Sequence, residues 1–154
     1  MLSQLEFHVI RYRLGLATSS ELRQVAKTEI DLGTYSPSLV DAAFDAEERL
    51  AEIGPAFEKA LQELGMAFPE SEDDCRWALL RYRISQIANG ETENIYVVLE
   101  EIMDICNLEK REDDVYDLYS IYDAVYKKDD DYYSDDYLMD ILVSCKAWLS
   151  RHPA

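Results

Sequence analysis

SEDDCRWALLRYRISQIANGETENIYVVLEEIMDICNL, residues 71–108, is the stretch that decides the fold. Trp77, Leu80, Ile84, Ile87 and Ala88 recur at spacings of three and four, which lines them along one stripe of a helix with 3.6 residues per turn. That stripe has to be buried. Ser71, followed by Glu72, Asp73 and Asp74, brings a hydroxyl and negative charge to the first turn, where backbone N–H groups lack partners. Asn89-Gly90 is a stop signal, because both residues tolerate the left-handed conformation that ends a helix. A second stripe follows at Ile95, Val98, Leu99, Ile102, Ile105 and Cys106. The short connection predicts two antiparallel neighbouring helices.

Upstream, Ser3 with Glu6 and Thr18 with Glu21 each have the spacing of a capping box, and Leu2 with Phe7 that of a hydrophobic staple. Phe7, Ile10 and Leu14 give the first helix its apolar side up to Gly15. Leu22, Val25, Ala26 and Ile30 do the same for the second, up to Gly33. Ser36-Pro37 is a cap followed by proline at the first helical position. Leu39, Val40, Ala43 and Phe44 are the expected buried face of a third helix, with Leu50 to Ile53 as its continuation. Gly54-Pro55 is expected to break it before a short fourth helix carrying Phe57, Ala60, Leu61 and Leu64.

Downstream, Val115, Leu118, Tyr119, Tyr122, Val125 and Tyr126 form a further stripe. Leu138, Ile141, Leu142, Cys145, Trp148 and Leu149 form the last, capped by Ser134 and ending near His152-Pro153. No segment alternates with period two. The expected fold class is therefore all-α: seven or eight amphipathic helices arranged as packed hairpins. A single helical domain over residues 1–154 is expected, with Met66 to Glu70 as the place where it could subdivide.

Val9-Ile10-Arg11-Tyr12-Arg13-Leu14 is echoed by Leu79-Leu80-Arg81-Tyr82-Arg83-Ile84, each followed by a turn and a second amphipathic helix. Arg-Tyr-Arg suits any helix flank, because the aliphatic stems cover apolar surface. The alternative is that Arg11, Arg13, Arg81 and Arg83 pair with acidic helices and set how the hairpins dock.

The chain has 32 acidic against 15 basic residues, a formal net charge of −17. That balance disfavours direct binding to nucleic acid or to anionic membrane and favours a basic protein partner. No stretch is long and apolar enough to span a membrane, and the N-terminus lacks the pattern of a secretory signal. Cys75, Cys106 and Cys145 are an odd, widely spaced set that suits reduced thiols in core positions. A cytoplasmic location is expected.

Catalytic and metal chemistry find little to stand on. Only His8 and His152 are available as imidazole bases or ligands, one near each end, and neither lies in a recognisable motif. A series beginning at Asp129, with Asp131, Tyr133, Asp135, Tyr137 and Asp140, follows calcium-loop spacing. It lacks the sixth-position glycine and the terminal glutamate of such loops. No glycine-rich phosphate loop is present. The reading is a non-enzyme with no catalytic residues, no cofactor and no metal.

Residues 112–140 hold eleven acids, two lysines and seven of the eleven tyrosines. Tyr119, Tyr122 and Tyr126 share the apolar stripe and are expected to pack inward with their hydroxyls at the boundary. Asp129, Asp130, Asp131, Tyr132, Tyr133, Asp135, Asp136 and Tyr137 form the candidate partner-binding segment. Tyrosine rings there would act as anchors and carboxylates would steer a basic partner. The competing reading is a solvated turn.

In character, Asp-Asp-Asp-Tyr-Tyr-Ser-Asp-Asp-Tyr at a helix junction, residues 129–137, resembles the bacterial immunity proteins that neutralise nuclease toxins; those of the colicin type also use acidic helices and paired tyrosines. Trp77-Ala78-Leu79-Leu80 and the helix from Ile95 to Leu108 look like bacterial helical domains encoded beside polymorphic toxins. The resemblance implies an inhibitor of a basic toxin or nuclease domain. The alternatives are a helical scaffold or adaptor presenting a groove to a peptide or protein, and a nucleic-acid mimic.

Overall fold

Two capping boxes set the N-terminal hairpin. Helix α1 spans Gln4–Arg13 and α2 spans Ser19–Asp31. In both, the N-cap hydroxyl accepts from the N3 backbone N–H while the N3 glutamate accepts from the cap's own N–H: Ser3 with Glu6, and Thr18 with Glu21. Each satisfies two N–H groups that a bare helix start would leave open, and an N-cap of this kind is worth about 1 kcal/mol. The computed structural model describes residues 2–106, 113–127 and 135–153.

Among the described residues the chain is all-helical, with no strand. After α1 and α2 come α3 (Pro37–Val40), a π-helical turn (Asp41–Asp45), α4 (Leu50–Glu63), α5 (Glu72–Asn89), α6 (Ile95–Ile105), α7 (Tyr116–Lys127) and α8 (Asp135–Arg151). They fall into two compact units, Met1–Leu79 and Leu80–Ala154, with the division inside α5. Met66 to Glu70, the place where the sequence allowed a subdivision, lies within the first unit.

The first unit closes around Leu5, Val9, Ile10, Leu22, Leu39, Ile53, Phe57 and Leu61, all essentially fully buried. Ser36 caps α3 through the Leu39 N–H at 3.0 Å, with Pro37 in the first turn. Glu63 at the end of α4 accepts from both the N–H and the hydroxyl of Ser38, at 3.0 and 2.7 Å, which ties α3 to α4.

Two expectations for this unit are corrected. Phe44 does not join the buried face of the third helix: it is 59 % exposed, while Leu39, Ala42 and Ala43 are buried. The side that is buried is Ser38, Leu39, Ala42 and Ala43, and Phe44 lies about 200° around the helix from Ala42; the run ends in a π-helical turn, with an i→i+5 bond from the Ala46 N–H to the Asp41 carbonyl at 2.7 Å. The chain then leaves helical geometry at Ala46 (ψ 145°), so this helix does not run on to Ile53.

Gly54-Pro55, for its part, does not break a helix. Helix α4 begins at Leu50 and runs through both residues. Packing overrides the local signal here, because Gly54 is buried where the Tyr12 ring of α1 crosses α4 so closely that a Cβ would overlap the ring. Glycine is what lets α1 and α4 meet at this point.

In the second unit Leu80, Ile84 and Ile87 of α5, Leu99 and Ile102 of α6, Leu118 of α7, and Ile141, Cys145 and Trp148 of α8 make the core. The start of α5 is as expected, with the Ser71 hydroxyl accepting from the Asp74 N–H at 3.0 Å. Gly90 follows the helix end in the left-handed region, φ 69°. Asn94 then caps α6 by accepting from the Tyr96 and Val97 N–H groups.

The arginine echo serves docking. Arg11 donates to Glu21 of α2 at 3.0 Å, Arg13 pairs with Glu58 of α4, and Arg83 pairs with Glu101 of α6. Arg13 and Arg83 occupy equivalent places in the repeated motif, and each reaches a glutamate on another helix of its own unit. Arg81 differs: its Nε is buried with no acceptor within hydrogen-bond distance.

Candidate functional site

The acidic, tyrosine-bearing segment is framed by α7 and α8, which pack on each other. Their mutual orientation comes from a clasp at one end. The Trp148 indole N–H donates to the Asp113 carbonyl at 2.7 Å, with Trp148 only 1 % exposed. Arg151 Nε donates to the Asp114 carboxylate at 2.6 Å, and His152 Nε2 lies 3.3 Å from the same oxygen while its ring stacks on Trp148 at 4.4 Å between centroids. Asp114 adopts a left-handed φ of 50°, a conformation that aspartate tolerates better than most residues. Its carboxyl is held below the ordinary aspartate range chiefly by the Arg151 hydrogen bond.

The clasp places the entry to α7 beside the C-terminus of α8. The two helices therefore run antiparallel, and Lys127 and Asp135, the residues that bracket the candidate segment, stand at the far end of the pair. Asp129, Asp130, Asp131, Tyr132 and Tyr133 lie outside the described residues. Asp135 and Asp136 open α8, with side chains that are likewise outside the description, and Tyr137 is half-buried in its first turn. Further along α8, Asp140 is exposed. On α7, Tyr119 and Tyr122 are half-buried and Leu118 and Val125 buried, while the side chain of Tyr126, the third tyrosine of that stripe, lies outside the described residues. Tyr116 is 67 % exposed beside an exposed Asp117, the pairing of ring and carboxylate sought in the neighbouring segment.

Other chemistry is sparse. His8 Nδ1 lies 2.8 Å from the Gln4 carbonyl of its own helix. None of the three cysteines is in a disulfide; burial pushes the Cys145 thiol up to about 12, and Cys75 is raised mainly by the same cause. No group of three or more potential metal ligands occurs among the described residues, and no described helix is long and apolar enough to cross a membrane. An open pocket of about 400 Å³ is lined by Arg13, Gln62, Met66, Ala67, Phe68 and Glu70. Its cation is already engaged, since Arg13 donates to the Pro69 and Glu70 carbonyls at 2.8 Å, pairs with Glu58, and lies 4.6 Å from the Phe68 ring centroid.

Sequence reasoning missed a set of large apolar side chains that stand in solvent: Leu32, Tyr35, Phe44, Val97, Met139 and Val143. A signal existed for some of them. Leu32 comes six residues after the buried Ala26, about 240° around the helix, and so lies off the α2 stripe. Phe44 carried no such sign, because Leu39, Val40, Ala43 and Phe44 have helical spacing as good as that of Leu39, Ala42 and Ala43, the side that is buried.

No family model matches this chain, and neither a curated protein nor a solved structure does.

Proposed function

We propose that this protein is a non-enzymatic binding module for a basic protein, of the immunity type that neutralises a toxin or nuclease by covering its cationic surface. One observation carries the reading: most arginines among the described residues bond within the chain. Arg11, Arg13, Arg49, Arg76, Arg83 and Arg151 each pair with a carboxylate of the same chain, and Arg23 donates to the Ala43 and Ala46 carbonyls. The formal net charge of −17 already counts the arginines, and with Arg11, Arg13, Arg76 and Arg83 no more than 22 % exposed, most of the outward-facing charge is carboxylate. Such a surface accelerates encounter with a cationic partner and repels nucleic acid and other acidic proteins.

In this reading Asp129, Asp130, Asp131, Asp135 and Asp136 supply steering charge, and Tyr132, Tyr133 and Tyr137 supply rigid anchoring area. Capture from the source lysate at low and high salt, with mass-spectrometric identification, gives the partner. A single basic protein held best at low salt is expected. Replacing both Tyr132 and Tyr133 with alanine should then weaken its binding by about 2 kcal/mol or more with the helical circular dichroism unchanged. Unaltered affinity would remove the site assignment.

A scaffold reading draws on one specific feature. Met139 and Val143 stand one turn apart on α8, 59 % and 61 % exposed, an apolar strip that an amphipathic peptide could cover. A captured partner indifferent to salt would favour it.

A further inference from the structure

We infer that the surface formed by the end of α2, α3 and the π-helical turn is a docking site for a lysine- or arginine-bearing segment of a partner protein, one whose cations are flanked by apolar side chains. It belongs to the first unit and shares no residue with the α7–α8 region, so it stands or falls separately from the function proposed above.

Helix α3 and the π-helical turn form one run from Pro37 to Asp45. Ser38, Leu39, Ala42 and Ala43 face inward and are buried; Pro37, Asp41, Phe44 and Asp45 face outward and are exposed. Just before this run, Leu32 and Tyr35 are 76 % and 70 % exposed, and Phe44 is 59 % exposed. Three large apolar side chains thus stand in solvent within thirteen residues of sequence. Pro37 and Phe44 stand two turns apart, about 10 Å along the axis, a span that two anchor residues of a peptide cover.

The charge around these anchors selects the occupant. Asp31, Asp41, Asp45, Glu47 and Glu48 are all exposed. Of the cations nearby, Arg49 is held by Glu47 at 2.7 Å, and Arg23 is turned in to the Ala43 and Ala46 carbonyls. Lys59 is exposed and acts on Glu63, which bonds Ser38 at the start of α3, and Lys27 supplies the most direct sign of what this surface accepts: its ammonium lies 5.7 Å from the centre of the Phe44 ring. The aromatic ring thus already holds a cation, supplied by the chain itself. A partner's lysine or arginine takes the place of Lys27 on this ring, with its apolar neighbours on Leu32 and Tyr35 and its charge facing the carboxylates. Phe44 lies in the π-helical turn, and such turns are frequent at functional sites.

The test uses the full-length ¹⁵N-labelled protein titrated with a synthetic amphipathic peptide of leucine and lysine, and with a control in which glutamate replaces lysine. Amide shifts centred on residues 31–48 with the lysine peptide, absent with the glutamate peptide, are expected. Tyr35→Ala with Phe44→Ala should weaken binding at least tenfold, whereas Tyr132→Ala with Tyr133→Ala should leave these shifts in place. Asp41→Asn with Asp45→Asn, which keeps the apolar anchors, should weaken binding and flatten its salt dependence. Shifts centred on residues 113–140, or affinity unchanged by both the aromatic and the Asp→Asn pairs, overturn the inference while leaving the α7–α8 reading intact.

Discussion

At the scale of single residues, burial decides the chemistry of the three thiols. Cys75 and Cys145 are fully buried and Cys106 is half-buried at the end of α6. Because the thiolate is the reactive species, a thiol pushed up to about 12 by burial, as at Cys145, presents almost no nucleophile at neutral pH. Native-state titration with a disulfide reagent should therefore modify Cys106 first. Cys75 and Cys145 should follow only at the rate of unfolding, and mass spectrometry of the first-formed adduct checks the order. The position of Cys145 in the core was legible from the stripe it sits on, whereas Cys75 lies beside the α5 stripe of Leu80, Ile84 and Ile87. The residue that sequence reasoning placed wrongly, Phe44, fits a helical stripe with Leu39, Val40 and Ala43 equally well, but the side buried is Ser38, Leu39, Ala42 and Ala43.

At the scale of elements, capping chemistry is the most legible part of the chain, because its partners are three residues apart. The Ser3, Thr18, Ser36 and Ser71 caps all form where local spacing puts them. One of them carries a pH dependence. Burial on its own would raise the Glu21 carboxyl, but the Thr18 N–H and hydroxyl and the Arg11 guanidinium outweigh it and hold the group, ordinarily near 4.5, at about 2. A carboxyl depressed on folding stabilises the native state above its unfolded value and loses that contribution as pH falls through the folded one. Between pH 4.5 and 2 the native state should lose roughly 1 kcal/mol from this group, after allowance for screening of a carboxylate 40 % exposed. Urea unfolding of Glu21→Gln should be flatter across the same window. Helix α4 shows where local reasoning fails: Gly54-Pro55 reads as a break, yet the helix continues because Tyr12 packs against the bare glycine. Gly54→Ala is expected to destabilise by about 1–2 kcal/mol through overpacking. In a Tyr12→Ala background the same change should stabilise by up to about 1 kcal/mol through helix propensity, and a double-mutant cycle of unfolding free energies measures the coupling.

At the scale of the whole molecule, a net charge of −17 on 154 residues is self-repulsive. Raising the salt from about 0.01 M to about 0.3 M shortens the screening length from about 30 Å to well under 10 Å, so thermal unfolding should move to higher temperature. A transition that falls with salt would mean that the internal arginine pairs outweigh the repulsion. The acidic character, the all-helical class, the caps and most buried stripes were determined by the sequence itself, because each depends on composition or on residues within a turn or two of one another. What only the tertiary structure decided involves partners far apart in the chain. Arg13 and Arg83 became docking ions because Glu58 and Glu101 meet them; Gly54 became a helix-crossing point because Tyr12 lies on it; and Asp113-Asp114 became the anchor of α7 because Trp148 and Arg151 return from the end of α8. Local periodicity says which side of a helix is buried. Which helix covers it, and which apolar residues stay uncovered, is set by packing over long sequence separations, and the exposed face at Leu32, Tyr35 and Phe44 is a result of that packing.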